Sequence, residues 1–263
     1  MWSREDSKIE KAKEDILKLL EEHKRQVFYS RQIEVILEQS YYHWITNTAL
    51  RQLAIDNKIN FEQCNIVTGK INCYWHKSYR YYKNDMKKLV DNVNYFSDAE
   101  FTRGLGSYAE LLVSDALFRG GFTFIDNNSN NYRGIIWDRS DHDLDFIVEK
   151  NDIAFGIEVK NKLSYIEQDE FYLKIEMCKY LSIVPIFACR MLPANWINDL
   201  YNEGGFSWIF KYQLYPKNEQ KKALEIKKSM MLPVDSPERL YQGTIDRLNN
   251  YVNQKGKILS KNM

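Results

Sequence analysis

Acidic and basic side chains alternate with apolar ones in two short segments that flank a polar turn. The first segment carries Asp143 and Asp145, and the second carries Glu158 and Lys160. Because successive side chains of a strand point to opposite faces, each segment sorts into a buried face and a face with ionisable groups. A hairpin would then bring two or three carboxylates and one ammonium close together. Carboxylates in such a cluster repel one another, and a divalent cation would relieve that repulsion.

The turn decides which aspartate faces Glu158, because a change of register moves every side chain of a strand. A loop of residues 150–151 would place Asp143 opposite Glu158. A loop of residues 150–153 would place Asp145 there instead. The sequence is compatible with both registers.

The order of these residues resembles the core motif of the PD-(D/E)xK nuclease superfamily. This superfamily includes many restriction endonucleases and archaeal Holliday-junction resolvases. The matching positions are Asp145, which precedes three apolar residues, and the run Glu158, Val159 and Lys160. No proline precedes the aspartate, but that letter of the motif is often absent in the superfamily.

The resemblance implies an endonuclease that hydrolyses DNA phosphodiester bonds with Mg²⁺, or with Mn²⁺ in its place. Asp145 and Glu158 would hold the metal, helped by the carbonyl of Val159, since Mg²⁺ prefers oxygen ligands. Lys160 would orient the attacking water or neutralise charge in the transition state.

The elements predicted around the motif follow the order helix, strand, strand, strand, helix, strand. The helices are expected from Gly106 onward and over residues 168–181, and the flanking strands over residues 122–125 and 183–189. This is the αβββαβ order of the restriction-endonuclease-like core. The predicted fold is therefore α/β with a mixed sheet. The domain would cover residues 91–263 and include a helical extension at its C-terminal end.

Glu110 lies on the first helix of this predicted core, and two interpretations are open. In the PD-(D/E)xK fold an acid on that helix often extends the metal cluster, which would make Glu110 catalytic. Alternatively, Ser107 and Glu110 have the spacing of a capping box, in which the glutamate bonds to the serine amide.

A very polar stretch follows the first predicted strand. Residues 126–133 are rich in asparagine and are predicted to form a mobile loop. Arg133 and Arg139 would be available there to contact substrate phosphates.

The N-terminal third predicts three helices followed by a hairpin, which resembles a winged helix-turn-helix over about residues 8–80. The first domain would cover residues 1–90. In such a fold the third helix can enter the major groove while the hairpin tip touches the backbone. A winged helix can equally serve as a dimerisation or packing module. The candidate DNA contacts are His43, Thr46, Asn47 and Arg51 on the helix and Lys70 at the tip.

Composition limits the alternatives. The formal net charge of +1 excludes a strong overall attraction to polyanions, so DNA would have to meet local basic patches. The longest apolar stretch is too short to cross a bilayer and the first residues are charged, so we expect a cytoplasmic protein without a membrane partner.

Two further hypotheses accompany the DNA endonuclease. The chain could be a noncatalytic DNA-binding regulator that uses a nuclease-like body as a dimerisation scaffold, or a nuclease directed at RNA. A homodimer suits the endonuclease because one active site cuts one strand.

Overall fold

The computed structural model describes residues 4–261, which divide into two compact units. The first unit runs to Arg103 and also includes Leu224–Leu232, and the second comprises Gly104–Ala223 and the residues from Pro233 onward. The boundary expected near residue 90 therefore lies too early.

The first unit combines four helices with a small antiparallel sheet. Its elements are α1 (Arg4–Glu22), β1 (Val27–Tyr29), α2 (Ser30–Ile36), α3 (His43–Ile55), β2 (Asn60–Ile66), β3 (Gly69–Trp75) and α4 (Lys83–Phe96). The strands are ordered β1-β3-β2. One face of α1 buries Ile9, Ala12 and Ile16 against α3, as expected from their helical spacing. The short strand β1 was not predicted, since three buried residues show no alternation.

The second unit is built around a five-stranded sheet. Its long elements are α5 (Ala99–Arg119, which begins in the first unit), β4 (Thr123–Ser129), β7 (Leu144–Lys150), β8 (Ile153–Lys160), α6 (Gln168–Tyr180), β9 (Val184–Cys189), α7 (Ala194–Asn202), β10 (Phe206–Ile209), α8 (Gln220–Met230, shared with the first unit) and α9 (Gln242–Lys261). The short elements are β5 (Asn131–Tyr132), β6 (Ile135–Ile136), β11 (Gln213–Leu214), a 3₁₀ turn (Lys217–Glu219) and β12 (Val234–Asp235).

The central sheet has the order β10-β9-β8-β7-β4. Strand β7 is antiparallel to both of its neighbours, β4 and β8, whereas β8, β9 and β10 run parallel to one another. The mixed α/β class predicted from the sequence is confirmed. The small hairpin β5–β6 lies between β4 and β7 and was not predicted.

Helices cover both faces of this sheet. On one face α5 and α9 pack against Val148, Ile157 and Val159. On the other face α6 packs against Ile147 through residues such as Cys178. The helix approaches so closely that a Cβ built on Gly156 would lie 2.8 Å from the Cys178 sulfur. The face that carries the ionisable residues is therefore a second buried layer.

Two local predictions about the core are wrong. The first core helix begins at Ala99, because the Asp98 carboxylate caps it by accepting hydrogen bonds from the amides of Glu100 and Phe101. Residues 126–129 continue strand β4, because they pair with β7 in the folded sheet.

None of the helices within residues 4–261 combines the length and the apolar content that a bilayer crossing requires.

Candidate functional site

The β7–β8 hairpin closes through a two-residue turn. Asn151 and Asp152 both have positive φ angles, of 52° and 60°, as in a type I′ turn. Phe146 pairs with Ile157, and the same register continued by one residue places Asp145 beside Glu158. The structure thus selects the register with Asp145 in the site, although its loop is shorter than expected.

Asp145 is attached to strand β8 by its side chain. The ladder between the two strands ends at Phe146, and the amide of Val159 then donates a hydrogen bond to Asp145 Oδ2 at 2.6 Å. Burial and then the neighbouring charge of Glu158 raise the pKa of Asp145 to about 7. The hydrogen bond from Val159 and the lysines nearby act in the opposite direction but do not outweigh them.

Glu158 is only 2% exposed and meets an ammonium group at each carboxylate oxygen. Lys160 Nζ lies 2.6 Å from Oε1, and Lys174 Nζ lies 2.6 Å from Oε2. The contact between Lys174 and Oε2 is an ion pair whose geometry does not meet the requirements of a hydrogen bond. Lys174 instead donates a hydrogen bond to the backbone carbonyl of Asp143. This aspartate therefore contributes to the site through its backbone.

Lys174 was missed by the sequence reasoning. It lies on the buried face of α6 together with Phe171, Ile175 and Cys178. A lysine at helical spacing among apolar residues is a signal for a buried charge, since lysine is almost never buried without a partner.

Glu170 completes the arrangement at the start of α6. Its Oε1 lies 2.9 Å from Lys160 Nζ, so this lysine is shared between two carboxylates. Burial alone would raise the pKa of Glu170, but the hydrogen bond and charge of Lys160 outweigh it and lower that pKa. Together the five side chains form what we call the charge cluster: Asp145, Glu158, Lys160, Glu170 and Lys174.

Glu110 is not brought into the charge cluster. Its helix α5 packs on the sheet face opposite α6, next to Ile157 and Val159. The capping interpretation is wrong, because Ser107 lies inside α5 and the helix begins at Ala99. The catalytic role of Glu110 stays a prediction.

Three of the predicted DNA contacts on α3 are turned inward. His43 is buried between Arg31 and Glu38, and Thr46 has no exposed surface. Asn47 is half-buried and donates a hydrogen bond to Glu34 at 2.9 Å. These side chains are held by contacts within the first unit, which leaves little of their surface for DNA, and their contact with DNA stays a prediction.

The other predicted contacts lie on the surface. Arg51 is exposed on α3, and Lys70 is exposed beside the β2–β3 turn. Arg133 and Arg139 are exposed as well, although each forms an ion pair: Arg133 with Glu149 at 3.0 Å and Arg139 with Glu176 at 2.6 Å.

The donor atoms suit a hard divalent cation only in part. Among residues 4–261 no three His, Cys, Asp or Glu side chains are grouped so as to hold a metal ion. Asp145 and Glu158 nevertheless provide adjacent carboxylates, and their mutual repulsion would be relieved by a cation. Three carboxylates face two ammonium groups in the charge cluster, so it carries one net negative charge when every group is ionised. These residues fit a cation whose remaining ligands are water and phosphate.

Comparisons with known protein families, with curated proteins and with solved structures found no match for this chain.

Proposed function

We propose that this chain is a metal-dependent endonuclease of the PD-(D/E)xK superfamily that hydrolyses DNA phosphodiester bonds. The observation that carries the proposal is the convergence of Asp145, Glu158 and Lys160 at one end of the β7–β8 hairpin. A solvated surface hairpin would have no reason to bury two acids beside a lysine, because buried charges are costly unless they are paired.

The arrangement of the sheet also supports the proposal. The second unit has a helix, three long strands, a helix and a strand in that chain order, with helices on both faces of a mixed sheet. This order is compatible with the restriction-endonuclease-like αβββαβ core, with β5–β6 as a small insertion. Fold alone does not imply function, so the site carries the argument.

The chemistry follows from the roles of three side chains. Asp145 and Glu158, with the carbonyl of Val159, would hold Mg²⁺ or Mn²⁺. Bound Mg²⁺ supplies Lewis-acid chemistry that favours attack of water on a phosphodiester. Lys160 retains some exposure, so its ammonium can donate a hydrogen bond to a phosphate oxygen or orient water.

The first unit would assist DNA binding. Its order of elements, helix, strand, two helices and two strands, is compatible with a winged helix. With three α3 residues turned inward, the contacts left are Arg51 and Lys70 in this unit and Arg133 and Arg139 near the sheet. Cutting both strands of a duplex would require two chains, which makes a homodimer part of the proposal.

The test is cleavage of plasmid and branched DNA with Mg²⁺ or Mn²⁺. We expect Lys160→Ala and Asp145→Asn to remain folded and to lose cleavage. Lys179→Ala is a matched control, because Lys179 lies on α6 in an exposed ion pair with Glu203. Undiminished cutting by Lys160→Ala would reject this site, and preferred cutting of RNA would change the substrate class.

A second function, a noncatalytic DNA-binding regulator, is favoured by one observation. Both oxygens of Glu158 are neutralised by lysines, and the described residues offer no three-ligand metal group. In the same assay this protein would retard DNA without forming products.

A further inference from the structure

Lys160 is shared between two carboxylates of unequal exposure. Its Nζ lies 2.6 Å from Oε1 of Glu158, which is 2% exposed, and 2.9 Å from Oε1 of Glu170, whose side chain is 24% exposed. The Lys160 side chain itself is 22% exposed, so it borders solvent while it is paired with Glu170. The second partner of Glu158, Lys174, is 5% exposed.

We propose that Lys160 is a latch that closes Glu158 to divalent cations in the free chain and opens when a phosphate draws its ammonium away. This inference rests on the proposed function, and it adds how the site would be regulated. Glu170 is a positioning residue in this arrangement, because it keeps the ammonium paired when Lys160 releases Glu158.

Lys174, the buried partner of Glu158, determines which carboxylate oxygen of Glu158 becomes free. Lys174 is anchored from the interior by the carbonyl of Asp143, which ties α6 to the start of β7. Release of Lys160 therefore exposes Oε1 of Glu158 to a cation while Oε2 stays paired with Lys174.

Charge balance couples the binding of a divalent cation to the binding of a phosphate. The free charge cluster carries one net negative charge when every group is ionised, so a divalent cation alone would leave it with one net positive charge. One phosphodiester anion would then restore neutrality. Cation and phosphate should consequently bind together far better than either binds alone.

The latch is tested by titrating Mn²⁺ into the full chain without nucleic acid, using calorimetry together with the electron paramagnetic resonance signal of free Mn²⁺. Wild type should bind weakly, and Lys160→Met should bind at least tenfold more tightly because the competing ammonium is gone. Adding Asp145→Asn to that variant should abolish the gain. Glu170→Gln should shift affinity the other way, since Lys160 would then remain on Glu158.

Matched controls separate the latch from general electrostatics. Glu176→Gln and Lys179→Met remove one negative and one positive charge from α6, but both residues lie in exposed pairs with Arg139 and Glu203. Their Mn²⁺ affinities should stay within twofold of wild type. Lys160→Ala serves as a second variant if Lys160→Met does not fold, and it should also bind Mn²⁺ more tightly.

Two outcomes overturn the latch: tight Mn²⁺ binding by the wild type without nucleic acid, or no gain in Mn²⁺ affinity in either Lys160→Met or Lys160→Ala. Different outcomes would reject the proposed nuclease function and the latch. Cleavage of DNA by the wild type without any gain in these variants would remove the latch and leave the nuclease. A gain in Mn²⁺ affinity in these variants, without cleavage of any nucleic acid by the wild type, would reject the nuclease and leave the latch.

Discussion

The amide of Val159 donates a hydrogen bond to Asp145 Oδ2 at 2.6 Å, at the point where backbone pairing between β7 and β8 ends. The carboxylate of Asp145 thus accepts the hydrogen bond that a backbone carbonyl would accept in a continuing strand pair. This contact fixes Asp145 beside the strand that carries Glu158 and Lys160. The two halves of the motif are joined through a backbone group that is independent of any bound ion.

Asp145 should make stability depend on pH. Its pKa of about 7 in the folded chain lies above the ordinary value of 3.8, so between these values the folded chain binds a proton that the unfolded chain lacks. Its stabilising contribution is therefore complete below about pH 4 and is lost as pH rises through 7, at up to roughly 1.4 kcal/mol per pH unit. The free energy of unfolding of wild type relative to Asp145→Asn, measured with urea and EDTA, should fall between about pH 4 and 7 and level off above that range. Parallel curves for the two proteins would contradict the raised pKa.

Lys174 should matter much more for stability than an exposed lysine of the same helix. Lys174→Met leaves buried Glu158 with one partner, and breaking a buried ion pair costs about 3–5 kcal/mol. Lys179→Met removes an exposed pair with Glu203, which costs at most about 1 kcal/mol. Urea denaturation of the two variants measures the difference. Equal losses would show that the Lys174 pair adds nothing to stability.

Gly156 should not tolerate a methyl group. A Cβ at this position would lie 2.8 Å from both Cys178 Sγ and Leu144 Cδ1. Overpacking of this kind costs about 1–3 kcal/mol, so Gly156→Ala should lower the melting temperature. Gly106→Ala is the control, because Gly106 lies in α5 with open space around it and should gain about 0.5–1 kcal/mol. A neutral Gly156→Ala would mean that α6 can move away from the sheet.

DNA affinity should depend on Arg51 and Lys70, two of the exposed basic residues of the first unit. Arg51→Ala and Lys70→Ala should each weaken binding and reduce the slope of log affinity against log salt by about 1, as expected for one lost phosphate contact. Fluorescence anisotropy at several salt concentrations measures this slope. The control is Lys24→Ala, since Lys24 is exposed and paired with Glu21 on the same unit. Unchanged slopes for Arg51→Ala and Lys70→Ala would remove α3 and the hairpin from the interface.

The polar segment after Phe122 shows where local reasoning fails. Residues 126–129 have the composition of a loop, yet they extend β4 because β7 provides a partner with free backbone groups. The same holds for His43 and Thr46. Their helical positions were predicted, but the side of α3 that faces the core depends on how α1 and α2 pack against it.

The sequence by itself determined the mixed α/β class, the two strands of the hairpin and the approach of an aspartate of the first strand to Glu158 and Lys160, whereas the folded turn selected Asp145 over Asp143. These features follow from alternation along a strand and from a short turn, which act between residues close in the chain. Only the tertiary structure decided that Lys174 and Glu170 join them. The reason is that the docking of α6 on the sheet, through contacts such as Gly156 with Cys178, sets which charges meet.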